Sequence, residues 1–262
     1  MSKKSFCASH EDIQQALGEW FSSPPGSLLL TRERDLLEQL LEGLFGYYLV
    51  QVGCLGVGAA PLHASRIRTQ VVVGAGAGAG GTQPARFLRG SAERLPIASD
   101  SVDVLLLPHT LDFTNDPHQV LREAERVLIP EGRLIVVGFN PLSLWGLWRL
   151  FRHRSGRVPW CGQFISPRRL NDWLRLMGLE QELGLGLMFR PPLTSRRLME
   201  RARLLEPTGQ RSWPLLGGAY VIQAVKRVSR LTPVAPLWRI RPGVLGTRWV
   251  EPTTRSSNWM KE

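Results

Sequence analysis

The chain has 262 residues, 43% of them hydrophobic, and a formal net charge of +11, enough for one sizeable core with appendages. It contains no run of eighteen apolar residues, and no apolar stretch follows Lys3 and Lys4, so neither a membrane-spanning helix nor a secretory signal is expected. Cys7, Cys54 and Cys161 are odd in number and far apart, and the five histidines are scattered, which predicts a cytoplasmic, metal-free protein without a disulfide framework.

In chain order, Ser9 is placed to cap a first helix with Ile13, Ala16, Leu17, Trp20 and Phe21 on one side, ended by the loop Ser22 to Gly26. Thr31 is placed to cap a second, in which Leu36, Leu37, Leu40, Leu41, Leu44 and Phe45 make an apolar stripe before Gly46. Tyr47 to Val52 reads as the first strand, followed by the glycine loop Gly53, Gly56, Gly58. Gln70 to Val73 reads as the second strand, and a weak third lies near Phe87 and Leu88. Between them, Gly74 to Ala79 satisfies a dinucleotide pattern. The helix that pattern needs is interrupted by Gly80 to Pro84, and the acid it needs on the following strand is absent, so a flexible connection is the better reading.

Val102 to Leu107 is a short apolar run suited to a strand buried on both faces. The next helix has Asp116 as N-cap, Pro117 at its first position and Gln119 at capping-box spacing. Val120, Leu121, Ala124, Val127 and Leu128 give it one apolar face. Pro130-Glu131-Gly132 stops it, and Arg133 to Val137 forms the fifth strand. Leu142, Trp145, Leu147 or Trp148, and Phe151 then lie at helical spacing among arginines, and Ser166-Pro167 opens a further helix ending at Gly178. Leu179 to Phe189 and Ala219 to Val225 read as the last two strands, with an arginine-rich helix, 196–205, between them. This order predicts an open, mostly parallel sheet of seven strands with helices on both faces and the final strand reversed. Ligand-binding loops should start at Gly53, Gly74, Ser91, Pro108 and Gly138, beyond the carboxyl ends of the strands.

The segment Leu88 to Phe139 resembles a known family. Its SAERLPI, SVDVLLL, HTLDF and VLIPEGRLIVV are similar to the D-A-E-x-L-P-F, F-D-V-V, H-V-L-E-H and V-L-K-P-G-G-x-L text of type 11 class I S-adenosylmethionine-dependent methyltransferases. The resemblance implies a Rossmann-like α/β fold, S-adenosyl-L-methionine as cofactor, and three parts: helices over 1–46, a methyltransferase-like domain over 47–228 with insertions near 141–165 and 190–217, and a basic tail over 229–262 that reads as poorly ordered. It also implies that Gly53, Cys54, Gly56, Ser91, Ala92, Glu93, Pro108 and His109 approach the cofactor. His109 is the candidate catalytic base, and Asp112, Phe139, Asn140 and Trp145 face the substrate. Three departures stand out. Gln51 replaces the acid before the first glycine loop, Gly74 replaces the acid that accepts from the ribose, and Ser91 replaces the first acid of D-A-E. Each residue also has a structural reading: Glu93 as a loop cap, His109 as a packed core histidine, Asp112 as a turn cap, and the aromatic residues as core.

The charge is uneven. Residues 131–262 carry 22 lysines and arginines against 8 acids, whereas residues 1–130 carry 11 against 14. Such asymmetry suits an anionic partner: nucleic acid, an anionic membrane surface or an acidic acceptor. The Trp145 to Arg154 segment is placed to be a lid, an interfacial helix or a nucleic-acid contact, and a surface solubilised by arginine is the plain alternative. Three functions stay open: a methyltransferase acting on an anionic acceptor, a methyltransferase-like binding or scaffold protein with a weakened cofactor site, and a basic nucleic-acid or membrane-surface protein.

Overall fold

The structure is a computed structural model that describes residues 10–53, 65–74, 86–152, 156–192 and 216–227. The expected helix at 196–205, the Gly-Ala run past Gly74 and the tail lie outside the described residues, as do Cys54 and Gly56. The described residues all belong to one unit, Met1–Val228.

This unit opens with α1 (His10–Phe21) and α2 (Gly26–Glu42), followed by β1 (Tyr48–Val52), β2 (Thr69–Gly74), β3 (Arg86–Arg89) and β4 (Val102–Pro108). Then come α3 (Thr110–Phe113), α4 (Pro117–Val127), β5 (Leu128–Phe139), α5 (Leu144–Arg152), α6 (Pro167–Leu176), β6 (Leu179–Leu187) and β7 (Ala219–Lys226). The seven strands form one sheet in the order β3-β2-β1-β4-β5-β7-β6. The first five pair in parallel, and β7 runs antiparallel to both neighbours. This is the Rossmann-like class I methyltransferase sheet that the sequence predicts.

Side chains alternate across a strand, and here both faces are apolar. Val104 and Leu106 point into one core with Leu17, Phe21, Leu37 and Leu41 of α1 and α2. Leu105 and Leu107 point into the other with Val120, Leu121, Leu170 and Leu174 of α4 and α6. Capping fixes the register of these helices. Asp116 accepts from Gln119 N at 3.0 Å, and Ser166 from Arg169 N at 3.3 Å. The LPI motif is held from α4: Arg126 donates to the carbonyls of Leu95 and Ile97, and Glu123 accepts from Leu95 N at 2.9 Å.

Three expectations change. Helix α2 starts at Gly26 rather than after Thr31, whose hydroxyl donates back to Ser27 O inside the helix. The cause is a tight corner, because a Cβ at Gly26 would collide with Trp20 O. Strand β5 begins at Leu128, paired with Val102, with an irregularity before Arg133. Cys161 is disulfide-bonded, since distance along a chain says nothing about distance in space.

Candidate functional site

The carboxyl ends of β1, β2, β3 and β4 converge on one cavity of about 140 Å³. Gly53 leaves β1 with φ +89°, in the region that favours glycine, and its N–H donates to Val73 O at 2.8 Å. Behind it Gln51 is fully buried, and its amide donates to Gly53 O at 2.8 Å. A neutral side chain that pins the loop therefore stands where the family has an acid. The next strand end is tied to the third loop by Gly90 N, which donates to Gly74 O at 3.0 Å. Pro108, His109 and Thr110 close the far wall, with Thr110 Oγ1 donating to Val52 O at 2.6 Å.

The roof comes from α1, through Ile13, Gln14 and Leu17. Gln14 Oε1 lies 3.8 Å from the point where a Cβ on Gly74 would stand. A side-chain oxygen from the N-terminal helix thus sits beside the position whose carboxylate is missing. In the third loop, Ser91 Oγ accepts from Glu93 N at 3.3 Å. Ala92 lines the cavity, and its amide makes no hydrogen bond to another described residue. An apolar wall, a close backbone approach at Gly53 and neutral polar groups at Gln14, Ser91 and Ala92 fit an adenosine-containing cofactor without a carboxylate for its ribose.

Beneath the cavity lies a buried ionic cluster. His109 Nδ1 is 3.0 Å from Asp112 Oδ2, and His109 Nε2 is 3.0 Å from Glu33 Oε1, all of them buried. Asp112 Oδ2 also accepts from Phe139 N at 3.1 Å. His109 adopts φ +52°, a left-handed conformation, and its ring stacks on Phe139 at 4.2 Å. Burial lowers the imidazole pKa, but the charges and hydrogen bonds of Glu33 and Asp112 more than reverse this and raise it to about 9. Burial raises the Asp112 carboxyl, against the pull of the imidazole. The cluster holds one more acid than base.

Of the sequence-predicted residues, the structure brings Gly53, Ser91, Ala92, Pro108 and His109 to the cavity. Glu93 turns away and accepts from Thr114 Oγ1 at 2.8 Å and from Asp116 N at 3.3 Å, as a loop cap. His109 lines the cavity, with its ring nitrogens 3.0 Å from Asp112 Oδ2 and 3.0 Å from Glu33 Oε1. Asp112, Phe139 and Trp145 are buried beneath the site instead of facing a substrate. The Trp145 indole donates to Arg190 O at 2.7 Å. Asn140 lines a second cavity of about 290 Å³ with Arg168, Asn171, Gln181 and Tyr220. Its own amide donates to Gly217 O at 3.0 Å. Sequence reasoning missed Gln14 and Glu33. Glu33 carried a signal, because it falls on the stripe Leu29, Leu37, Leu41 of α2 at spacings of four, where an acid needs a partner.

Residues 51–136 match a family model described as a methyltransferase domain. Over 161 residues the chain is 34% identical to the uncharacterized protein YafS of Escherichia coli (strain K12), covering 62% of this chain and 64% of that protein. It is 36% identical over 81 residues to the ubiquinone/menaquinone biosynthesis C-methyltransferase UbiE of Ruegeria sp. (strain TM1040), covering 30% of this chain and 32% of that one. The chain thus spans less than two thirds of the length of these relatives. A solved structure of a SAM-dependent methyltransferase from Thermotoga maritima, a possible histamine N-methyltransferase, superposes with a TM-score of 0.56 at 21% identity, covering 82% of this chain and 100% of that one.

Proposed function

We propose that the chain is a class I S-adenosylmethionine-dependent methyltransferase that transfers a methyl group to a small, negatively charged acceptor, a reading supported by the methyltransferase-domain match over residues 51–136. The observation that carries this reading is the convergence of Gly53, Ala92 and His109 on one cavity at the carboxyl ends of β1, β3 and β4. The cofactor supplies the chemistry: a methyl group on a sulfonium passes to the acceptor's nucleophilic atom and leaves S-adenosylhomocysteine. The protein's task is then positioning and exclusion of water.

Ala92 N–H and the Ser91 hydroxyl address the adenine edge, and Gln14 accepts from the ribose. The glycine at position 53 lets backbone run close to the methionine portion. The Glu33, His109 and Asp112 cluster fixes the His109 backbone at the cavity wall. Ile13 and Leu17 cover the cavity against water. An anionic acceptor is supported by Arg168 in the second cavity beside Asn140 and by the arginine excess of residues 131–262. The neutral Gln51 and Gly74 favour the second reading, a methyltransferase-like binding or scaffold protein with a weakened cofactor site.

Calorimetric titration with S-adenosylmethionine and S-adenosylhomocysteine tests the first claim, and a dissociation constant below millimolar is expected. No heat with either ligand at millimolar concentration would overturn it. Incubation with methyl-labelled cofactor and a small-metabolite extract tests the second. The label should be retained on an anion exchanger. Binding without label transfer would support the non-catalytic reading, and label only in the neutral fraction would contradict an anionic acceptor.

A further inference from the structure

Helix α5 presents its apolar stripe to solvent. Leu144, Leu147, Trp148 and Phe151 lie three and four residues apart on one face, and their exposures are 49, 52, 36 and 79%. The helix cannot roll to bury them. Trp145 on its inner side is fully buried and bonded to Arg190 O, and any Cβ at Gly146 would collide with the Pro141 carbonyl. We infer that this outward face of α5 seats the protein on an anionic membrane surface, a property that goes beyond the methyltransferase reading and does not depend on it.

The charge around the stripe selects this occupant. Helix α5 carries no acidic residue, and Arg152 and Arg157 line one cavity with Trp148 of the stripe. Arg152 is exposed at the end of the helix, with its guanidinium 5.8 Å from the Trp148 ring. Arg149 lies on the inner side of the helix, where it donates to Gly162 O at 2.8 Å and sits 5.1 Å from the Phe164 ring. An apolar face entering the headgroup and acyl boundary, rimmed by arginines that meet lipid phosphates, is the arrangement of an interfacial helix. Among the described residues no helix is long and apolar enough to cross a membrane, so the contact is with the surface. Nucleic acid would require cations across the contacting face, whereas here Arg152 and Arg157 stand at its edge beside Trp148 and the rest of the stripe is apolar. A second copy would bring like charges together, and a stripe of two turns falls well short of the ~800 Å² per partner that a stable dimer buries.

The test is flotation of the full chain with phosphatidylcholine vesicles, with and without phosphatidylglycerol, comparing wild type with the double variant Leu147→Glu/Phe151→Glu. Both changes are at exposed positions, and an unchanged melting temperature establishes that the variant is folded. Wild type should float with the anionic vesicles and not with the neutral ones, with affinity reduced about tenfold or more in the variant. A blue shift of fluorescence on vesicle addition should be larger in wild type than in Trp148→Phe. Absence of wild-type binding, equal binding by the double variant, or equal binding to neutral vesicles would overturn the proposal. So would a dimer in sedimentation velocity, or retention on RNA, that the double variant alone abolishes.

Discussion

Replacing His109 by phenylalanine is expected to lower the free energy of unfolding by about 3–5 kcal/mol at neutral pH, because it leaves two buried carboxyl groups without their shared cation. The aromatic ring keeps the stack on Phe139, so the loss reports mainly on the contacts to Glu33 and Asp112. A smaller part, about 1 kcal/mol, comes from placing phenylalanine in a left-handed conformation. The pH dependence separates the two. His109 is raised from 6.5 in the unfolded chain to about 9 in the folded one, so the folded state holds a proton that the unfolded state releases. Its stabilisation is complete below the unfolded value and is lost as pH rises through the folded value, with a slope of about 1.4 kcal/mol per pH unit between them. Denaturant unfolding from pH 6 to 10 should show this decline in wild type and lose it in the variant. A variant less than about 1 kcal/mol weaker, or one with the wild-type slope, would show that the cluster is not ionic.

The second large effect concerns ligand rather than stability. Gly53→Val is expected to weaken S-adenosylhomocysteine binding about a hundredfold or more, while costing about 1–3 kcal/mol of stability. At φ +89° a side chain is strained, and its first carbon would already stand 3.4 Å from Thr110 Oγ1 on the cavity wall. The branched methyl groups would then occupy space that the cofactor needs. Calorimetric titration of the folded variant checks this. Wild-type affinity would mean that the ligand does not pass Gly53.

The sheet was largely legible in the sequence because its signals are local. The apolar run at Val102, the cap at Asp116, the Ser166-Pro167 start and the Gly178 stop each depend on neighbours within a turn, and each appears where expected. The mostly parallel sheet with its final strand reversed followed from the alternation of elements. What stayed hidden depends on contacts between distant parts of the chain. Gln14 reaches Gly74 across sixty residues, and Glu33 reaches His109 across seventy-six. No spacing rule encodes either approach. The aromatic residues after β5 show the same limit. Trp145 and Trp148 look alike in the sequence, yet the first is wholly buried and the second stands at the surface. Which side of α5 turns inward is decided by Gly146 fitting against Pro141.

On the proposed reading, neutral groups, with α1 as a roof, take the place of the usual carboxylates around an adenosyl cofactor. A crystal structure of the chain with S-adenosylhomocysteine tests it most directly. The ribose hydroxyls should lie within hydrogen-bonding distance of Gln14, the adenine edge against the Ala92 amide, and the thioether above His109. A ligand held outside this cavity, or a ribose contacted by another carboxylate with Gln14 turned away, would contradict the account.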